Sequence, residues 1–190
     1  MAAWIWAIIA VAALLALSAI GWVAWSRRRS GALRERFGPE YERTVNQVGD
    51  RRRAESELDA RRKRRQQLDI RPLSAASRQR YASEWHDAQA RFVDDPSVAV
   101  READALVIGV MRERGYPMEN FDQRTADVSV DHPNVVQNYR AAHGISMANN
   151  QGRASTEDLR QAMVHYRSLF DELLHEDGRG DEEEPRREAR

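Results

Sequence analysis

The sequence predicts an all-α chain made of an N-terminal transmembrane helix, a polar helical stalk and a small cytoplasmic helical bundle of about four helices. Three observations carry that prediction. Residues 2–25 contain no charged side chain. Beyond them, apolar residues recur three and four positions apart, the period of a helix with one buried face. No segment shows a sustained two-residue alternation of β-branched residues, so no strand is expected.

The anchor comes first, over residues 1–26. A helix from Ala2 to Trp25 reaches about 36 Å at about 1.5 Å per residue, against a hydrocarbon core of about 30 Å. Trp4 and Trp6 lie near one end and Trp22 and Trp25 near the other, where indole rings favour the headgroup level. A cleaved signal peptide would need a basic residue before the apolar run, and none precedes Trp4. Arg27, Arg28 and Arg29 follow the run directly. Basic residues stay cytoplasmic, so the expected topology is single-pass in the cell membrane, N-terminus outside and C-terminal domain cytoplasmic. Ala3/Ala7 and Ala12/Ala16 have the small-xxx-small spacing that permits a homodimer, although an alanine-rich span produces such spacing by chance.

The stalk spans residues 27–70. A juxtamembrane helix over Ala32–Phe37 is interrupted at Gly38-Pro39, and Pro39 suits the first position of a second short helix. Gly49-Asp50 restarts a helix through Leu68 whose only apolar points are Ala54, Leu58, Ala60 and Leu68. That is too little apolar face to join a core, so a solvated spacer arm is expected. Arg51–Glu55, Arg53–Glu57, Glu57–Arg61 and Asp59–Lys63 have the i,i+4 spacing of stabilising charge pairs.

The helical domain occupies residues 71–176. Pro72 disfavours helix at Arg71, and Ser74 can cap a helix from Ala75 to about Val93, with Tyr81, Trp85, Ala88 and Phe92 on one face. Asp95-Pro96 opens the next helix, striped by Val100, Ala103, Val107, Val110 and Met111 and ended by Gly115 and Pro117. A short helix is expected over Phe121–Val130 and another from Pro133 to about Met147, with Asp131 or His132 as its cap. Ser155 and Asp158 form a capping-box variant before Leu159, Met163, Tyr166, Phe170, Leu173 and Leu174. Residues 177–190 form an acidic tail with almost no apolar content, expected to be disordered. Its Arg179-Gly180-Asp181 match to the integrin tripeptide is a short coincidence in a tail expected to be cytoplasmic.

Charge divides the chain. The 30 basic and 30 acidic residues balance overall, yet residues 26–80 carry +9 and residues 81–190 carry −9. Arginine supplies all the basic residues except Lys63, a bias that runs along the whole chain and fits a GC-rich coding sequence. No cysteine is present, which excludes disulfides, thiolate catalysis and cysteine-bound zinc or iron–sulfur centres. The five histidines never share the three- or four-residue spacing of helical metal ligands, and no phosphate-binding or nucleophile motif occurs. No catalytic residue, metal ligand or cofactor is therefore expected.

Two sets of residues are candidate contact sites. Arg27, Arg28, Arg29, Arg51, Arg52, Arg53, Arg61, Arg62, Lys63, Arg64 and Arg65 could lie on an anionic membrane surface. The same cluster could hold nucleic acid, but interleaved aromatic residues for base stacking are missing. A candidate recognition loop gathers Tyr116, Phe121, Asp131, His132 and Tyr139 between helices.

The segments LRERFGPEYERTV, LDIRPLS, RYASEWHDAQARFVDDPSVAVREADALV, VMRERGYP, DHPNVVQNYRAAH and STEDLRQAMVHYRSLFDELL together resemble a family of uncharacterised bacterial single-span membrane-anchored proteins. The resemblance covers about Leu33 to Leu174 and implies one domain on an anchor, with no activity, cofactor or site residue attached. The functional expectation is a non-catalytic, membrane-tethered interaction module with an unknown cytoplasmic protein partner. The alternative is lipid-surface or nucleic-acid binding through the arginine stalk.

Overall fold

The computed structural model describes residues 30–175 and, before them, Leu14, Leu17, Ser18, Gly21 and Arg28. Among the described residues the chain is all-helical, with no strand. None of their helices is long and apolar enough to cross a membrane. The expected span at residues 2–25 lies, apart from four of those residues, outside what is described, as does the expected acidic tail.

After a helical stretch at residues 30–37 come α1 (Pro39–Val48), α2 (Arg51–Gln66), α3 (Ala75–Arg91), α4 (Pro96–Arg114), α5 (Phe121–Asp131), α6 (Val136–Asn150) and α7 (Thr156–His175). The chain forms two compact units, Met1–Asp59 and Ala60–Arg190, and the division falls within α2.

In the first unit the break at Gly38-Pro39 appears as expected, with Gly38 at positive φ and Pro39 opening α1. Gly49 ends α1 in the left-handed region, and Asp50 Oδ1 caps α2 by accepting from the Arg53 amide at 2.8 Å. Leu33, Phe37, Tyr41, Ala54 and Leu58 are buried. The Tyr41 hydroxyl donates to Glu55 at 2.8 Å and accepts from Arg51 Nε at 3.0 Å, tying α1 to α2. Burial pushes the Glu55 carboxyl up, but hydrogen bonds from Ser30, Tyr41 and Arg51 outweigh it and hold the group below its usual range.

The expected solvated spacer is thus corrected. Ala54 and Leu58, four residues apart on one face, are fully buried, and in the second unit Arg64 and Arg65 bond to carboxylates of α5. A charged helix can be fixed in place by a few apolar contacts when its charges meet opposite ones, a possibility the apolar pattern does not report.

In the second unit α4 is the central helix, packed on α3, α6 and α7, while α6 lies along α7. Its stripe of Ala99, Val100, Ala103, Val107, Val110 and Met111 is fully buried. The small residues let neighbours approach closely: a Cβ on Gly109 would stand 3.3 Å from the Tyr81 hydroxyl of α3. Trp85 and Phe170 stack with centroids 4.5 Å apart, joining α3 to α7. Gly115 ends α4 at φ 97°, and a Cβ there would meet the Asp69 carbonyl at 2.4 Å, so backbone conformation and space both demand glycine. The extended segment before α3 runs across this end, with the Arg71 amide donating to the Arg114 carbonyl at 2.8 Å.

The expected caps at Ser74 and Asp95 form. The capping box at α7 is reciprocal: Ser155 Oγ accepts from the Asp158 amide at 3.2 Å, and Asp158 Oδ2 accepts from the Ser155 amide at 2.8 Å. One cap is corrected. α6 starts at Val136, three residues after Pro133, and neither Asp131 nor His132 caps it. Asp131 is the last residue of α5 and His132 its C-cap, so the turn over residues 133–135 separates both from the helix they were expected to open.

Candidate functional site

The predicted membrane-surface residues fall into separate environments. Arg27 and Arg29 lie outside the described residues, and Arg28 is exposed. Arg51, Arg52, Arg53 and Lys63 are exposed on α2, while Arg61 and Arg62 are half-buried. Arg64 bridges Glu119 at 2.9 Å and Asp127 at 3.2 Å, and Arg65 pairs with Asp131. The basic cluster at the C-terminal half of α2 therefore spends part of its charge on the protein itself, which lowers what it can offer a phosphate surface.

The predicted recognition loop turns inward. Tyr116, His132 and Tyr139 are buried, and Phe121 and Asp131 are half-buried. Tyr116 donates to Asp131 at 3.2 Å, and His132 lies 3.8 Å from Glu172. These aromatics sit where turn formers cluster, but the turns fold them under the helices, so chain position alone misreads them as surface.

Behind that turn lies a polar seam crossing four helices. Tyr166 of α7 donates to Asp104 of α4 at 2.8 Å. Burial pushes the Tyr166 phenol far up, with Asp104 adding to it, so the hydroxyl keeps its proton. Burial also raises the Tyr139 phenol, opposed by the facing Arg124 of α5. His143 of α6 stacks on Phe121 with centroids 3.7 Å apart and an interplanar angle of 14°. Among the described residues no three histidine or carboxylate side chains come together as metal ligands.

Two open grooves flank α3, each of about 390 Å³. One runs between α3 and α7 over Trp85 and Phe170 and is lined mostly by apolar atoms, with Arg78, Asp171 and His175 among its lining residues. The other runs between α3 and α4. Ala88, Ala105 and Leu106 supply its apolar surface, and Glu84, Asp87 and Glu102 stand along it with a single arginine, Arg91. Arg91 pairs with Glu102 at 3.0 Å, and Arg80 lies 3.7 Å from Glu84. At the same wall Arg80 covers the Tyr81 ring at 4.3 Å and donates to Glu113 at 2.8 Å.

None of this second groove was singled out from the sequence. Its signal was present: Glu84, Asp87 and Arg91 follow one another at spacings of three and four, a polar stripe beside the apolar stripe of Tyr81, Trp85 and Ala88. What the sequence does not show is that Glu102 and Leu106 of α4 complete it.

No family model, no curated protein and no solved structure matches the chain.

Proposed function

We propose that the chain is a membrane-tethered helical interaction module, and that the groove between α3 and α4 receives a basic segment of a protein partner. The observation that carries this reading is the groove itself: an apolar strip of Ala88, Ala105 and Leu106 beside three carboxylates and one arginine. An apolar side chain flanked by lysine or arginine would bury its carbon atoms on the strip and set its charge against Glu84 and Asp87. The uncharged run at residues 2–25 supports the tether, and the two leucines described within it, Leu14 and Leu17, are 64% and 66% exposed. Tethering raises local concentration, so even weak binding at a shallow groove becomes productive.

Two experiments test the reading. A single cysteine at exposed Gln151, in an otherwise cysteine-free chain, is treated with a membrane-impermeant maleimide in intact cells. Labelling only after lysis agrees with a cytoplasmic domain; labelling in intact cells moves the domain and its partner outside. A photo-crosslinker at Ala105 of the full chain then reports the groove. A discrete protein adduct that disappears with Glu84→Lys plus Asp87→Lys, and that a crosslinker at Gln151 does not give, supports the proposal. No adduct at Ala105, or the same adduct from both positions, rejects it.

A further inference from the structure

We propose that His143 is an acid-sensitive latch: a proton on its imidazole frees Phe121 and lets the start of α5 open away from α6. The proposal concerns a different face from the α3–α4 groove and does not depend on it.

The geometry builds the case. Phe121 is the first residue of α5, and it is held between two rings of α6: His143 at 3.7 Å and Tyr139 at 5.1 Å between centroids. The face of α5 that goes inward is otherwise poor in carbon. Thr125, Asp127 and Ser129 are buried beside Val128 and Val130, and both hydroxyls bond back to their own helix, to the carbonyls of Asp122 and Ala126. The later turns of α5 have a separate hold through Arg64 on Asp127 and Arg65 on Asp131. Its first turn is tied to α6 by the aromatic stack and by Arg124 facing Tyr139, with Arg64 on Glu119 just ahead of it. An element with few apolar contacts opens at lower free energy than the core.

His143 Nδ1 is buried and has no hydrogen-bond partner among the described residues. A neutral imidazole can leave that nitrogen as a bare acceptor at modest cost. Protonation turns it into a buried N–H donor carrying charge, which is far more expensive. The groups facing the ring are Asp104 from α4, and Asp122 and Arg124 from α5. Asp104 already accepts the Tyr166 hydroxyl of α7. Arg124 adds repulsion, and the attraction of an imidazolium for the Phe121 face works in the other direction.

Burial is the largest influence and holds the His143 pKa below its usual 6.5, with Arg124 in the same sense and the two aspartates against. The closed form therefore binds a proton less tightly than the opened one. Its stability is complete above the ordinary histidine value and is lost as pH falls through the lower, folded value.

Hydrogen exchange read by mass spectrometry on the full chain in detergent, corrected for intrinsic exchange rates, tests this between about pH 7.5 and about pH 5. Peptides covering Phe121–Asp131 should lose protection by about threefold or more across that range, while those covering α7 hold theirs. In His143→Phe, which keeps a stacking ring without a titratable nitrogen, the α5 protection should no longer fall as the pH is lowered. An equal loss in His143→Phe, or no loss in the unmodified chain, overturns the latch. A ring titration of histidine-labelled unmodified chain provides a second reading that needs no variant. A His143 pKa below 6.5 supports the proposal, and a value at or above it rejects the proposal.

Discussion

Helices α4 and α7 pack together and bury Val107, Val110, Met111, Leu169, Phe170 and Leu173, all essentially without solvent exposure. Helix α5, in the same compact unit, buries Thr125, Asp127 and Ser129 and is held by Arg64, Arg65 and a ring stack. Burial of apolar surface needs no particular orientation and carries no charge to screen or titrate, so the α4–α7 seam should stay formed until the unit unfolds. Contacts made by charges and rings are directional, respond to ionic conditions and can be broken one at a time. The contrast teaches where this protein can move: the apolar seam supplies stability, and the polar edge supplies a place to open.

The largest effect is expected at the seam. Phe170→Ala removes the ring stacked on Trp85 and should cost about 3–5 kcal/mol in urea unfolding, with little dependence on salt. A cost well below that range would mean that the seam repacks and that the contrast with α5 is weaker than the burial suggests.

Arg114 sharpens the comparison, because it is a charged residue inside the apolar region. It is 4% exposed and its Nη1 donates to the Leu173 carbonyl in the last turn of α7 at 2.6 Å. Arg114→Ala should lower stability by about 2 kcal/mol, the scale of a buried charge-assisted hydrogen bond, read as a fall in the urea midpoint. Arg114→Lys should recover part of it, having the charge without the planar fork.

Ser155→Ala should cost about 1 kcal/mol by removing the cap of α7. Here acid acts in a defined direction. Hydrogen bonds from Ser155 hold the Asp158 carboxyl below its usual range, so its contribution is present above about pH 4 and is lost as pH falls through the lower folded value. Circular dichroism of the unmodified chain should show that loss below about pH 4, and Asp158→Asn should flatten it.

The smallest change at neutral pH is expected from Asp127→Asn. Burial raises the Asp127 pKa despite the bonds from Gln123 and Arg64. Its sign is the reverse of Asp158: the folded form holds the proton more tightly, so stability from this group falls as pH rises through the window above about 3.8. Asparagine keeps the shape, and Arg64 is partly exposed and keeps Glu119 as a partner, so the change near neutral pH should stay within about 1 kcal/mol. Thermal melts at several pH values check both the size and the sign. A large loss at neutral pH would show that the Arg64–Asp127 pair carries more of this edge than the Arg65–Asp131 pair and the ring stack.

Much of the fold was legible because caps and breaks are local. Ser74, Asp95 and Ser155 form their caps, Pro39 and Pro96 open helices, and Gly49 and Gly115 close them, each through atoms within a few residues of one another. The α4 and α7 stripes were legible for a related reason: a 3.6-residue period places core residues on one face whatever that face meets. The misreadings involve partners far apart in the chain. Nothing near Arg64 or Arg65 in sequence announces Asp127 or Asp131, more than sixty residues away. Likewise Tyr116 looks like a loop residue until it is buried against Asp131 of α5.

The sequence by itself determined the helices, most of their ends, the α4 and α7 core stripes and the absence of cysteine chemistry, because each depends on backbone geometry or residue type alone. Only the tertiary structure decided which arginines pair with carboxylates and which stay exposed. It also brought Glu102 of α4 beside Glu84 and Asp87, and placed His143 on Phe121. The physical reason is the same in each case. A periodic apolar stripe says that a face will be buried, whereas a charge or a ring says nothing of its partner until the packing of helices has set the distance between them.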